Sequence, residues 1–371
     1  TRQPKGHAMT QLTIRSVRTR IVALTHKRPV ISRAVTVTQW PLLLIDLETE
    51  QGVTGRTYLS AYTLDGARMA DQLIHGLVDR FKGEPVAPTE LYDKARKALF
   101  FTGYEGVTLT AVSGLDMALW DAAAKAADLP LVEFLGGVRK PVKAYNSCAL
   151  WLKSPEETAA EAVELRDEGG FSAVKMRLGR EDPRDDVKAV EAVMDAVGDG
   201  VSVFCDYNQL NTMDEAIARC EMIDNLGLGW IEEPIRYDDL DGAAELKRRL
   251  RTPIQIGENF WGPRDLWRAL QMDACSYVMP DLMRIGGVTG WMRAAGVAGA
   301  AGMPFSSHLF PEVSSHMLAV TETAHWLEWA DWCEGVLAEP YKVENGFVTP
   351  PNRPGAGIDW DEAAIAANLV E

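Results

Sequence analysis

Apolar runs of strand length alternate with helix-forming stretches from Gly137 onward, and few folds accept that order. VKAYNSC precedes a helix from Ser154, FSAVKMRL a helix from Pro183, VSVFCDYNQ a helix from Met213, and GLGWIEEP a helix from Leu240. IQIGENF then precedes a helix from Pro263, YVMPDLMR a helix from Val288, and MPFSSHLF a further helix. No GxGxxG follows any of these strands, which argues against a dinucleotide-binding open sheet. The pattern predicts a closed barrel of seven or eight parallel strands over residues 138–340.

Ahead of the barrel the periodicity differs. LTIRSVRTRIVAL reads as a strand, and WPLLLIDLETEQGVTGRTYLSAY as two strands around a glycine-containing turn. THKRPVISRAVTVTQ lies between them without a strong element signal and reads either as a mobile loop closing on a ligand or as a surface hairpin. Residues 64–127 are mostly helical, with Val112, Leu115, Leu119 and Trp120 forming an apolar stripe. Strands followed by helices predict an α+β capping domain over residues 9–137. The turn-rich segment 341–371 ends in a short helix and is expected to return to that domain. Residues 1–8 have no periodicity and read as an expression remnant, with Met9 the natural start.

A chain of 371 residues with 47% apolar and 25% charged residues suits a globular protein of two domains. Its net charge of -15 disfavours a nucleic-acid surface. An acidic substrate therefore needs a local cation or a metal. No run approaches 18 uninterrupted apolar residues, so no membrane partner is expected. The five cysteines are dispersed and odd in number, which fits a reducing, cytoplasmic setting.

Barrel active sites lie at the carboxyl ends of the strands. There Asp206, Glu232 and Glu258 terminate three consecutive apolar runs at equal spacing, which places them at equal height. Three carboxylates crowded at a barrel mouth repel one another unless a cation sits between them, and oxygen donors favour Mg2+ or Mn2+. Lys175 and Arg177 share one side of the preceding strand, within reach of a bound anion or, alternatively, only of Asp206 and Glu232 as ion pairs. Asn208 is placed to support Asp206 or to bind substrate, and Glu233 to form an ion pair outside the metal site. Asp281 and His308 end adjacent strands and predict a dyad in which the carboxylate orients a basic imidazole. His26, His75, His316 and His325 lack that context. Glu328, between Trp326 and Trp329, is expected either to have a raised pKa and act as a proton or hydrogen-bond donor, or to form a buried ion pair. Together these groups suit removal of the proton next to the carboxylate of a 2-hydroxy acid.

SGLDMALWDAAAK at 113–125, DYNQ at 206–209, WIEEP at 230–234 and GEN at 257–259 add a further signal. With PDLMRIGGVTGW at 280–291, SSHLF at 306–310 and AHWLE at 324–328, the chain resembles the enolase superfamily, mandelate racemase group, over nearly its whole length. The resemblance implies a modified TIM barrel, (β/α)7β, with an α+β N-terminal capping domain completed by the C-terminal segment. It also implies Mg2+ on Asp206, Glu232 and Glu258, an Asp281–His308 dyad acting on the proton of R configuration, and Glu328 as the electrophilic acid. Lys175 and Ser147 would contact the substrate carboxylate. The loop at 25–41, with Ser60 and Tyr62, would cover the substrate, and the chain would form a homo-oligomer, commonly an octamer.

Arg177 departs from the group, which has a second lysine there as the base for the S proton; arginine stays protonated at ordinary pH. Single-base dehydration of an acid sugar to a 2-keto-3-deoxy acid is therefore the leading expectation, with 2-hydroxy acid racemisation or epimerisation the alternative. Cycloisomerisation and a non-catalytic metal-binding role rank below these. Arg33, Gln39 and Ser60, polar where a phenyl pocket prefers apolar groups, favour a polyhydroxylated substrate.

Overall fold

The computed structural model describes residues 11–33 and 36–370, so the segment read as an expression remnant lies outside the described residues. The chain opens with a three-stranded antiparallel sheet of β1 (Ile14–Ile31), β2 (Thr36–Thr49) and β3 (Thr54–Ser60). The middle strand buries Leu42, Leu43, Leu44 and Ile45 in succession because helices cover one face and the C-terminal segment the other. Helices α1 (Leu64–Phe81), α2 (Pro88–Ala98) and α3 (Val107–Ala126) follow. Helix α3 approaches β3 so closely that a Cβ at Gly55 would lie 2.0 Å from the Ala118 carbonyl oxygen. Its other side faces the barrel, and this explains why it is buried nearly all round.

Of the two readings for residues 25–39, a mobile loop or a hairpin, the described residues take the hairpin, as the far ends of β1 and β2 paired from Thr25–Gln39 to Ile31–Thr36 with a register shift between Thr25 and Val30. Its β-branched residues favour extended backbone, and the hairpin is tied to the barrel. The Leu152 N–H donates to the Ile31 carbonyl at 3.0 Å, and Lys27 and Arg28 both pair with Glu168.

After α4 (Leu131–Phe134) the barrel begins with β4 (Val142–Asn146), α5 (Pro155–Gly169), β5 (Ala173–Arg177), α6 (Pro183–Val197), β6 (Ser202–Asp206) and α7 (Met213–Ile223). It continues with β7 (Ile231–Glu232), α8 (Leu240–Arg249), β8 (Ile254–Ile256), α9 (Pro263–Gln271), β9 (Tyr277–Val278), α10 (Leu282–Ile285) and α11 (Gly287–Ala300). The seventh strand position is reduced to Phe305, which bridges Val278 and Ala324. Then α12 (Pro311–Val320) leads to β10 (Leu327–Trp329), which pairs in parallel with β4 and closes the (β/α)7β barrel. Capping boxes at Ser154–Glu157 and Thr212–Glu215 start α5 and α7. All five cysteines are free and buried.

The C-terminal segment does not go straight to the cap. Strands β11 (Val343–Glu344) and β12 (Phe347–Val348) form a hairpin, and β12 adds antiparallel to β4, whose first residues have an open edge. Only then does the chain reach the N-terminal sheet, where Trp360 Nε1 donates to Asp46 Oδ1 at 2.8 Å and α13 (Glu362–Asn368) packs on β1. No helix among the described residues is long and apolar enough to cross a membrane.

Candidate active site

A layer of aromatic rings fills the barrel interior: Tyr145, Phe204, Trp230 and Trp326, with Phe204 and Trp230 stacked at 3.3 Å. Side chains two residues apart on a strand share a face. Each ring therefore stands one layer below a polar side chain, respectively Ser147, Asp206, Glu232 and Glu328, all of them buried. The rings form a dry floor that forces those groups to find partners among themselves.

Asp206, Glu232 and Glu258 each offer a carboxylate oxygen, and these atoms lie within 4.8 Å of one another. Asp206 and Glu232 are register partners across β6 and β7, whereas Glu232 pairs with Gln255, so Glu258 stands three positions further along rather than at equal height. The chain bends at Gly257, where φ is 132° and a Cβ would meet Met279 N at 3.0 Å, and this returns Glu258 to the group. Burial and the neighbouring carboxylates push Glu232 up to about 8, against the pull of Lys175. The set fits a hard divalent cation held through oxygen alone, Mg2+ or Mn2+. Asn208, at φ 48°, donates its backbone N–H and side-chain amide to the two oxygens of Asp206 at 2.7 and 2.9 Å.

Lys175 reaches Glu232, Glu328 at 2.8 Å and Asp206 at 3.4 Å. Burial opposes its charge, but the carboxylates outweigh burial and raise its pKa. Arg177 is committed differently. Its guanidinium donates to the carbonyls of Ser147 and Ala149, both at 3.0 Å, and to Ser147 Oγ at 2.9 Å, and lies over the Trp151 ring.

His308 Nδ1 lies 2.6 Å from Asp281 Oδ2, and its Nε2 is 3.4 Å from Glu258 and 3.9 Å from Glu328. Burial alone would lower this imidazole; Glu258, Glu328 and Asp281 raise it to about 9. The other histidines differ: buried His316 is pushed down to about 3 and His325 to about 4, both chiefly by burial.

Glu328 and Glu233 each depart from the leading expectation. Glu328 is not raised but takes the alternative, a buried ion pair with Lys175: burial acts upward, but Lys175, His308 and Arg177 outweigh it and hold the carboxyl well below its usual range. It accepts from Ser147 Oγ at 2.7 Å and from the Leu309 N–H at 2.8 Å. Trp326 in the floor beneath it contributes to that burial, while adjacent Trp329 lies on the opposite face of β10. Glu233 forms no ion pair among the described residues. It turns away at φ 39°, accepts the Gly257 N–H at 2.8 Å, and burial and Glu258 raise its pKa well above the usual range.

The remaining expected contacts divide. Tyr62 stands over Arg284, 4.9 Å from ring centre to guanidinium carbon. Arg33 is instead engaged by Glu215 at 3.3 Å and the Leu210 carbonyl at 3.4 Å, and Ser60 accepts from Trp40 Nε1 at 2.6 Å. These two therefore carry no case for a polar pocket. Arg284 escaped the sequence reading although PDLMR ends in it, three residues after Asp281.

Residues 157–364 match the family described as Enolase C-terminal domain-like, and residues 14–136 match the Mandelate racemase / muconate lactonizing enzyme, N-terminal domain. A crystal structure of an enolase from alpha pretobacterium bal199 with bound Mg superposes with a TM-score of 0.96 at 54% identity, covering 97% of this chain and 100% of that one. An enolase from Bradyrhizobium complexed with magnesium and mandelic acid gives 0.93 at 38% identity, over 98% and 100% of the two chains. L-talarate/galactarate dehydratase of Salmonella typhimurium strain LT2 is 30% identical over 78% of this chain and 73% of its own.

Proposed function

The chain belongs to the enolase superfamily, with a mandelate racemase / muconate lactonizing enzyme N-terminal domain ahead of an enolase C-terminal domain-like barrel, and from that membership we propose its reaction. It is a Mg2+-dependent enzyme that removes the α-proton of a 2-hydroxy acid and, with an acid sugar, eliminates water to give a 2-keto-3-deoxy acid. The observation that carries this reading is the buttressed imidazole: Asp281 takes the Nδ1 side of His308, leaving Nε2 aimed toward the carboxylate triad.

In this reading Asp206, Glu232 and Glu258 hold the cation, which when bound supplies positive charge to the substrate carboxylate and acidifies the neighbouring C–H bond. His308 Nε2 takes the α-proton, and the electron pair of the broken C–H bond moves into the carboxylate to form an enediolate. Lys175 donates a hydrogen bond to the oxygen that gains charge, and Ser147, whose single hydroxyl proton goes to Glu328, lies beside that contact. Glu328, being ionised, holds Lys175 and Ser147 in place rather than donating. The C3–O bond then breaks, His308 returns its proton to the departing hydroxyl as water, and the enol tautomerises. Asn208 supports Asp206, Tyr62 covers the substrate, and Arg177 positions Ser147. The barrel spans residues 138–340, and the capping unit 9–137 is completed by 341–371. A homo-oligomer in a cytoplasmic setting goes with this reading, and light scattering tests the assembly.

The dehydratase of Salmonella typhimurium supports elimination. Racemisation is the second reading, favoured by the mandelic acid complex of the Bradyrhizobium relative. Arg177 weighs against it, since a guanidinium fixed on two carbonyls is no second base. Incubation with Mg2+, acid sugars and mandelates in D2O separates the two. A 2-keto acid product is expected; deuterium at C2 with inversion and no keto product would replace dehydration by racemisation.

A further inference from the structure

We propose that Arg284 binds a second carboxylate of the substrate, making dicarboxylic sugar acids the preferred class. The proposal rests on the site being one that binds a 2-hydroxy acid.

Access to the constellation is one-sided. Asp206, Glu232, Lys175 and Glu328 are at most 1% exposed, whereas His308, Glu258 and Asn259 retain 7–9%. Substrate therefore enters along the edge formed by the β8 and β9 loops and His308. Arg284 stands on that edge, in the single turn of α10. Its Nη1 donates to the Glu258 carbonyl at 3.1 Å and to Asn259 Oδ1, and its guanidinium faces the Tyr62 ring of the cap. These contacts fix the fork without using it up. Among the described residues no acceptor takes Nε or Nη2, and no carboxylate lies within ion-pair distance, although Glu258 and Asp281 are close enough to raise its pKa. The Tyr62 hydroxyl beside it also makes no hydrogen bond among the described residues.

The other two cations of the site are already engaged, Lys175 by three carboxylates and Arg177 by two carbonyls and a hydroxyl. An arginine held rigid at the mouth with free donors matches a planar, bidentate anion such as a carboxylate. With the first carboxylate directed to the triad and Lys175, the far end of an extended acid sugar lies toward Arg284. A monocarboxylate would leave that fork to water.

The test is binding, so it does not depend on which reaction follows. Calorimetry on the full-length Mg2+-loaded protein compares 2-hydroxy-2-methyl dicarboxylates of four, five and six backbone carbons with the 2-hydroxy-2-methyl monocarboxylates of equal length; none has a proton on the hydroxyl-bearing carbon for His308 to remove. At least one dicarboxylate is expected to bind ten-fold or more tightly than its partner, and Arg284→Gln to reduce that preference below three-fold while the monocarboxylate affinity stays. A wild-type preference below three-fold at every length, or one that survives Arg284→Gln, would overturn the proposal. Mn2+ titration checks that the variant retains the metal site. If it does not, Arg284→Lys decides: keeping the charge without the fork, it should hold metal yet lose most of the preference, and an unchanged preference would count against the assignment.

Discussion

Asp281 Oδ2 and His308 Nδ1 meet at 2.6 Å across a parallel bridge that joins the same two residues through their backbones. The second oxygen of Asp281 accepts the Met283 N–H at 2.7 Å, so the carboxylate is fixed at both ends before it orients the imidazole. Packing alone therefore determines which ring nitrogen remains for chemistry.

Replacing His308 by Asn should lower α-proton exchange by about 10²- to 10⁴-fold, the range of a positioned general base. Loss of deuterium incorporation in D2O, followed by NMR, is the readout, with Mg2+ affinity unchanged. Exchange at the wild-type rate would remove His308 from its assigned role.

Asn208 gives a sharper test of the metal site than any ligand, because it touches Asp206 through both its backbone and its amide. Its φ of 48° is costly for most residues but not for glycine. Asn208→Gly thus isolates the amide, and Mg2+ affinity by calorimetry should fall about 10- to 100-fold, as when a support of a metal ligand is removed. An unchanged affinity would mean that Asp206 needs no such support.

Arg177→Lys probes the departure from two-base chemistry. One ammonium cannot satisfy both carbonyls, Ser147 Oγ and the Trp151 ring, and unsatisfied buried acceptors cost about 1–3 kcal/mol each. A fall in melting temperature of roughly 5 °C is expected, with Mg2+ still bound. Because lysine can titrate, exchange of the S proton should rise above the wild-type background. No rise would show that this position does not face that proton.

The barrel was legible because strand and helix differ in hydrophobic period, and the triad because carboxylates ending apolar strands leave few other uses for themselves. The height of Glu258 was hidden, since equal spacing in sequence does not reveal the bend at Gly257. Glu328 misled for a related reason. Its aromatic neighbours in sequence suggested an acid governed by burial, and Trp326 does lie directly beneath it, but Lys175, His308 and Arg177 outweigh that burial. Ionisation is set by which donors converge in space, and for Glu328 these come from the loop after β4, from β5 and from the loop before α12. A usable signal did exist one layer down, in the aromatic residue two positions before Ser147, Asp206, Glu232 and Glu328. The segment 25–39 was ambiguous because its anchors, Leu152 and Glu168, belong to the barrel.

Away from the site, Glu312 makes stability depend on pH. It is buried, accepts the Tyr58 hydroxyl at 2.6 Å, and is pushed by burial from 4.5 up to about 7, the hydrogen bond opposing the shift. Between those values the folded chain keeps a proton that the unfolded chain has released. Stability from this group is therefore fully present below about pH 4.5, falls as pH rises, and levels off above about 7. At about 1.4 kcal/mol per pKa unit the full effect is on the order of 3 kcal/mol. Glu312→Gln keeps an acceptor for Tyr58 and cannot ionise, so its stability relative to wild type should increase between pH 5 and pH 8. Parallel melting curves across that range would instead show that Glu312 titrates alike in both states.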